Sequence, residues 1–237
     1  MLGFDDRKLE EINGINTAAE ICQQPVTWEK TIKQMKEIEG ELSSFIKEVT
    51  ARSDYEVILT GAGSSEYVGN ALYPSLIIPL DGHVRSVGTT DIVASPHVYL
   101  PKDKPVLLVS FARSGNSPES VGAVAAADTV CKDVKHIFIT CNKDGALAVE
   151  GEKRDDVFSI VLAPETHDKG FAMTSSLTNM YLAAHIAFHG TKSNWNEVIE
   201  NVSDFLDEDY QTLTDFLEGK EFKRIKIIII LDQVIIH

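Results

Sequence analysis

Three polar loops carry residue types that can do chemistry. Gly61-Ala62-Gly63-Ser64-Ser65 follows an apolar run and opens a helix-forming segment. Glycines there let the chain turn tightly and bring backbone amides near a ligand. Ser64 and Ser65 add two hydroxyls to the free N–H groups of a helix start, the physical make-up of a phosphate site. Ser110-Phe111-Ala112-Arg113-Ser114-Gly115-Asn116-Ser117-Pro118-Glu119 repeats the arrangement after another apolar run, with a guanidinium beside two serines. Pro164-Glu165-Thr166-His167-Asp168-Lys169-Gly170 gathers a carboxylate, an imidazole and an ammonium, with Thr174, Ser175 and Ser176 just beyond. Glu165 and His167 have the chemistry for proton transfer.

Each loop also has a plainer reading. Gly61-x-Gly63 begins a dinucleotide-binding pattern, but position 66 is Glu where the third glycine belongs. No Gly-Lys-Ser/Thr follows, as a Walker-type loop requires. Ser64 or Ser65 as a helix cap accounts for the first loop. Ser117 before Pro118 is an N-cap with a first-turn proline. Capping needs one hydroxyl, however, and the second loop offers Ser114 and Ser117 together with Arg113. A polar surface loop accounts for the third. His83, His97, His136, His185 and His189 lack metal-ligand spacing apart from the i, i+4 pair His185 and His189, which has no third ligand in sequence. Neither a metal nor a cofactor is expected.

The elements that position these loops follow from periodicity. Apolar runs at 55–60, 106–111, 136–141 and 157–162, with a shorter one at 83–87, are each followed by turn residues and a helix-forming stretch. Near-continuous apolar strands with helical crossovers predict a parallel sheet covered on both faces. The expected fold is α/β, a doubly wound five-stranded parallel sheet with an N-terminal helical extension. Loops after strands of such a sheet meet at the carboxyl ends, where ligands bind. Before the sheet, Trp28, Ile32, Met35, Ile38, Leu42, Phe45, Ile46 and Val49 recur at spacings of three and four, predicting a long helix capped by Thr27. After it, 170–190 and 194–219 read as two further helices.

Composition bounds the function. Of 237 residues, 43% are apolar and 24% charged, as in an ordinary globular protein. The net charge of −14, from 36 acidic and 22 basic residues, disfavours nucleic acid and anionic membranes as partners. The acidic residues concentrate in 5–48 and 194–221, which read as solvated helical faces. An anionic ligand stays possible because helix-start amides supply local positive potential. Cys22, Cys131 and Cys141 are too scattered for a disulfide framework, and Cys131 and Cys141 read as small buried residues. With no secretory signal and no long apolar span, a cytoplasmic location is expected.

The paired loops resemble the SIS (sugar isomerase) domain family, in which a G-x-G-[ST]-S loop and an S-x-S-G-x-T/S loop clasp a sugar phosphate. The first corresponds to Gly61 to Ser65 and the second to Ala112 to Ser117. The family's leading serine is Ala112 here, which makes Arg113 a replacement source of phosphate charge. LTGAGSSEYVGNAL, LVSFARSGNSPESV and APETHDKGFAMTSSLTNM are similar to the tagatose-6-phosphate ketose/aldose isomerase branch, which includes galactosamine-6-phosphate deaminase/isomerases. The resemblance implies binding of a phosphorylated sugar or amino sugar in open-chain form by Gly61, Gly63, Ser64, Ser65, Arg113, Ser114, Gly115, Asn116, Ser117, Glu165, Thr174 and Ser175. It also implies a homo-oligomer.

The expected organisation is a helical segment at 1–52, an SIS domain at 53–192, a connecting helix at 193–221 and the start of an incomplete second SIS domain at 222–237. The branch carries two SIS domains, the second supplying a catalytic glutamate and a histidine. Two functions therefore stand side by side: a ketose/aldose isomerase or isomerising deaminase, and a non-catalytic sugar-phosphate-binding module. Where the family continues with Gly-Ser-Gly, this chain reads Leu231-Asp232-Gln233-Val234. A reading frame displaced by two nucleotides encodes Gly-Ser-Gly if the codons run xxG-GAT-CAG-GT, so residues from about 226 onward are expected to be out of frame. The codons in the gene check this, and any set incompatible with GGA-TCA-GGT overturns it.

Overall fold

In the computed structural model, residues 1–2, 4–191, 194–204 and 206 are described. The expected second-domain start at 222–237, the frame change and most of the connecting helix lie outside them. The elements run α1 (Asp6–Glu11), α2 (Ile15–Cys22), α3 (Gln24–Thr50), β1 (Glu56–Gly61), α4 (Glu66–Leu76), β2 (Val84–Ser86), α5 (Thr89–Ala94) and α6 (Pro96–Tyr99). They continue with β3 (Pro105–Ala112), α7 (Pro118–Val130), β4 (Asp133–Thr140), α8 (Ala146–Gly151), β5 (Val157–Val161), α9 (Ser175–His189) and α10 (Trp195–Asp204).

The five strands form one parallel sheet in the order β2-β1-β3-β4-β5. Successive strand residues serve opposite faces, as the strand period of two requires. Val57, Leu59, Leu107, Val109, Phe111, Ile137 and Ile139 join a core with α3, α4 and α9, whereas Ile58, Val106 and Leu108 join one with α5 and α7. Both faces are thus covered, and the doubly wound arrangement is the observed one.

Helix α3 buries the predicted stripe, with Trp28, Met35, Leu42, Phe45, Ile46 and Val49 all in the core. It starts earlier than expected, at Gln24. Pro25 occupies the first turn, where a missing N–H is not needed. Thr27 is therefore not the cap; its hydroxyl donates to Gln24 O at 3.0 Å inside the helix. Helix α9 begins at Ser175 rather than near 170, because Asp168 accepts the N–H groups of Thr174, Ser175 and Ser176 and ends the preceding loop there.

Polar bonds run along the α3–α9 contact. Thr31 Oγ1 donates to Asn179 Oδ1 at 2.7 Å, and Asn179 Nδ2 donates to Thr27 Oγ1 and Ser175 O, both at 2.8 Å. Trp28 Nε1 donates to Thr178 Oγ1 at 3.0 Å, and Thr178 Oγ1 to Gln24 Oε1 at 2.7 Å. The N-terminal helix is thereby locked to the sheet layer in one register. Asn179→Ala strands buried partners of a fully buried amide. A loss of roughly 2–3 kcal/mol is expected, seen as a lower urea midpoint at unchanged slope.

Candidate functional site

Strands β1 and β3 are neighbours although β2 lies between them in sequence. The chain leaving β1 enters α4 on one face, and the chain leaving β3 enters α7 on the other: Val68, Leu72 and Leu76 pack with α3 and α9, while Ala123, Ala127 and Val130 pack with α5. A crevice opens where the crossovers diverge, the usual ligand position in such sheets. A pocket of about 120 Å³ occupies it. Ser65 reaches it from the first loop, Arg113, Ser114 and Ser117 from the second, and Ser120 from the first turn of α7. Met173 closes it from the third, with Ala62 and Ala112 on its wall.

Gly61 makes the first loop possible. A Cβ there would lie 2.5 Å from the carbonyl carbon and oxygen of Ser65, so only hydrogen fits. Gly63 takes φ +55°, the left-handed region. Thr89 Oγ1 donates to Gly61 O at 3.1 Å and holds the turn from the α5 side. Ser65 is buried but makes no capping bond on α4. Among the described residues its hydroxyl meets the weak acceptor Met173 Sδ, at 3.8 Å, so capping does not explain it. Ser64 is exposed and outside the lining.

In the second loop helix capping and pocket lining coexist. Ser117 caps α7, accepting from Ser120 N at 3.2 Å, and its hydroxyl donates to Ser120 Oγ at 2.7 Å. Ser114 Oγ accepts from Asn116 N at 3.3 Å. Asn116 Oδ1 caps α8 by accepting from Ala146 N at 2.9 Å, and Gly115, at φ +67°, gives its carbonyl to Leu147 N. Asn116 and Gly115 thus fasten the loop to the β4–α8 turn instead of lining the pocket. Arg113 Nη1 donates to Gly170 O at 3.1 Å. It is the single charged side chain among the described lining residues. Ser120 was not singled out from sequence; its spacing of three from Ser117, on the same helical face, was the available signal.

The third loop departs from expectation. Glu165, His167, Thr174 and Ser175 are not in the lining, because their polar groups are used or directed elsewhere. Glu165 pairs with Lys30 Nζ at 2.5 Å, and this hydrogen bond holds its carboxyl below the ordinary range. His167 is exposed. Thr174 donates its N–H and hydroxyl to Asp168, while the fully buried Ser175 donates its hydroxyl to Glu20 O at 2.6 Å. This loop reaches the pocket through Met173 and through the Gly170 carbonyl on Arg113.

Two buried thiols and one acidic cluster are withdrawn from reactive chemistry. Burial pushes the Cys141 thiol up to about 12 and the Cys131 thiol up to about 11, so both are inert as nucleophiles. Asp128, His136 and Asp156 gather like metal ligands, but Arg154 bonds both carboxylates at 2.7–2.9 Å where a cation would sit. Desolvation works against the Asp128 carboxylate, yet Arg154 and His136 outweigh it and hold the group below its ordinary range. No helix among the described residues is long and apolar enough to cross a membrane.

Residues 51–190 match the SIS domain. The chain is 46% identical over 175 residues to a Streptomyces coelicolor protein provisionally described as D-galactosamine-6-phosphate deaminase AgaS, covering 74% of this chain and 46% of that one. It is 37% identical over 206 residues to the Escherichia coli D-galactosamine-6-phosphate deaminase AgaS, covering 87% and 53%. The crystal structure of tagatose-6-phosphate ketose/aldose isomerase from Escherichia coli matches with a TM-score of 0.74 at 35% identity, over 89% of this chain and 56% of that one. The chain spans about half the length of the curated relatives it matches.

The two serines should separate in stability measurements. Ser117→Ala removes the α7 cap and is expected to cost about 1 kcal/mol, whereas Ser65→Ala changes stability by less than about 0.5 kcal/mol. Chemical denaturation of both variants checks this, and equal losses would contradict the assigned roles.

Proposed function

The chain belongs to the SIS-domain family, and from that premise we propose that its β1–β3 pocket clasps the phosphate of an open-chain amino-sugar or ketohexose phosphate. The convergence of Ser65, Arg113, Ser114, Ser117 and Ser120 on one pocket at the sheet's switch point carries this reading. Hydroxyls donate to phosphate oxygens, and a guanidinium matches their charge and geometry. The pocket, about 120 Å³, suits the phosphate end of such a sugar, with the carbons extending out of it.

The reaction class that fits is the isomerising deamination of galactosamine-6-phosphate to tagatose-6-phosphate, which the relatives' descriptions support. A proton moves between C1 and C2, ammonia leaves C2, and water supplies the ketose oxygen. The described lining residues include no carboxylate or imidazole, so they bind and orient while proton transfer falls to groups beyond them.

Galactosamine-6-phosphate is expected to raise the melting temperature and galactosamine to leave it unchanged. Arg113→Met should weaken phosphate-dependent binding at least about tenfold, the value of a charge-assisted hydrogen bond. Ammonia and tagatose-6-phosphate are measured in parallel. An equal response to the unphosphorylated sugar would sink the phosphate assignment, and binding without either product would confine this chain to sugar-phosphate binding.

A further inference from the structure

Glu20 belongs to a stretch whose acidic residues read as a solvated surface, yet it is only 6% exposed. A carboxylate taken out of water needs hydrogen-bond donors to replace those it loses. Glu20 finds them across the fold. Its Oε1 accepts from Lys169 N at 2.5 Å and from Gly170 N at 3.0 Å, and its Oε2 lies 3.2 Å from the same Gly170 nitrogen. Two successive amides converging on one anion form a nest, here filled by the protein's own side chain. The contact is close: a Cβ on Gly170 would stand 2.7 Å from Glu20 Oε2 and 2.8 Å from Thr17 Oγ1.

The same glycine faces the pocket through its other peptide group. Gly170 O accepts the 3.1 Å hydrogen bond from Arg113 Nη1. Just before this glycine, Asp168 holds the N–H groups of Thr174, Ser175 and Ser176. Asp168 thus closes residues 168–176 onto the start of α9, while the adjoining Lys169 and Gly170 are fastened to helix α2, and Arg113 docks on that same Gly170.

We propose that Glu20 is a positioning residue for the phosphate site, setting the guanidinium of Arg113 through the Gly170 carbonyl; this rests on reading the pocket as a phosphate clasp. Arginine carries five donors in a planar fork. Docking one on a fixed carbonyl restricts the side chain and leaves other donors for the ligand. Ordering the arginine before the phosphate arrives reduces the entropy lost on binding, an effect of about three- to tenfold in affinity for one long side chain. An N-terminal helix thereby acts on a site to which it contributes no lining residue.

The test is a double-mutant cycle read by calorimetric titration of galactosamine-6-phosphate into the whole chain, with melting temperatures alongside. Glu20→Ala is expected to weaken binding three- to tenfold. Glu20→Gln, which keeps the shape and one acceptor oxygen, should weaken it in the same direction and guards against misfolding of the alanine variant. In an Arg113→Met background, Glu20→Ala should weaken binding no further, although its lower melting temperature persists. Full affinity in both Glu20 variants overturns the proposal. So does an equal weakening with and without Arg113, the signature of a purely structural residue. If wild type binds and Arg113→Met weakens it while the Glu20 variants do not, this inference alone falls; if wild type shows no binding, the phosphate reading falls and takes this inference with it.

Discussion

The pocket exists because β1 and β3 hydrogen-bond side by side while their crossovers leave toward opposite faces. Paired strands bring two loops within one pocket's width. Divergent helices then keep the space between the loops from being filled by backbone. Thr60 pairs with Ser110 and Gly61 with Phe111 at the carboxyl ends of these strands. A one-residue slip of that register would turn each inward side chain to the opposite face and displace one loop against the other. Burial of both faces fixes the register, since Val57, Leu59, Leu107 and Val109 serve one core and Ile58 and Leu108 the other.

Close backbone approach is the second constraint. The first loop can fold back on its helix only because Gly61 carries no Cβ, and the second can lie against the β4–α8 turn only because Gly145 carries none: a Cβ there would stand 2.4 Å from Ser114 O. The result is a pocket walled by small residues and lined by hydroxyls, with one guanidinium, in a chain of net charge −14. In that field a local cation matters more than the overall charge, because interactions beyond roughly 8–10 Å are screened at physiological salt.

Buried carboxylates do the fastening around this pocket. Asp168 ends the third loop by taking the first N–H groups of α9, and Glu20 takes the amides of the two residues that follow Asp168. Each replaces water with backbone donors and so holds a segment in one conformation. The more exposed Asp128 and Asp156 instead share the Arg154 guanidinium, which joins α7 to the segment between α8 and β5. The acidic character of the chain is thus partly structural, not only a solvated surface.

The amino-acid sequence alone determined the α/β class, the five strands and the two serine-glycine loops, because strand periodicity, turn glycines and helix caps are properties of neighbouring residues. It also brought Ser65, Arg113, Ser114 and Ser117 toward one crevice, since loops at the carboxyl ends of parallel strands have few other places to go. Tertiary structure alone decided which hydroxyls stay available. Ser65 and Ser117 both sit at helix starts, but only Ser117 caps; Asn116 was claimed by α8, Ser175 by α2 and Glu165 by Lys30. The partners of Asn116, Ser175 and Glu165, and the amides that Glu20 claims, lie 30 to 155 residues away in the chain. Hydrogen-bond competition of that range has no local signature, and so only the folded chain could settle it.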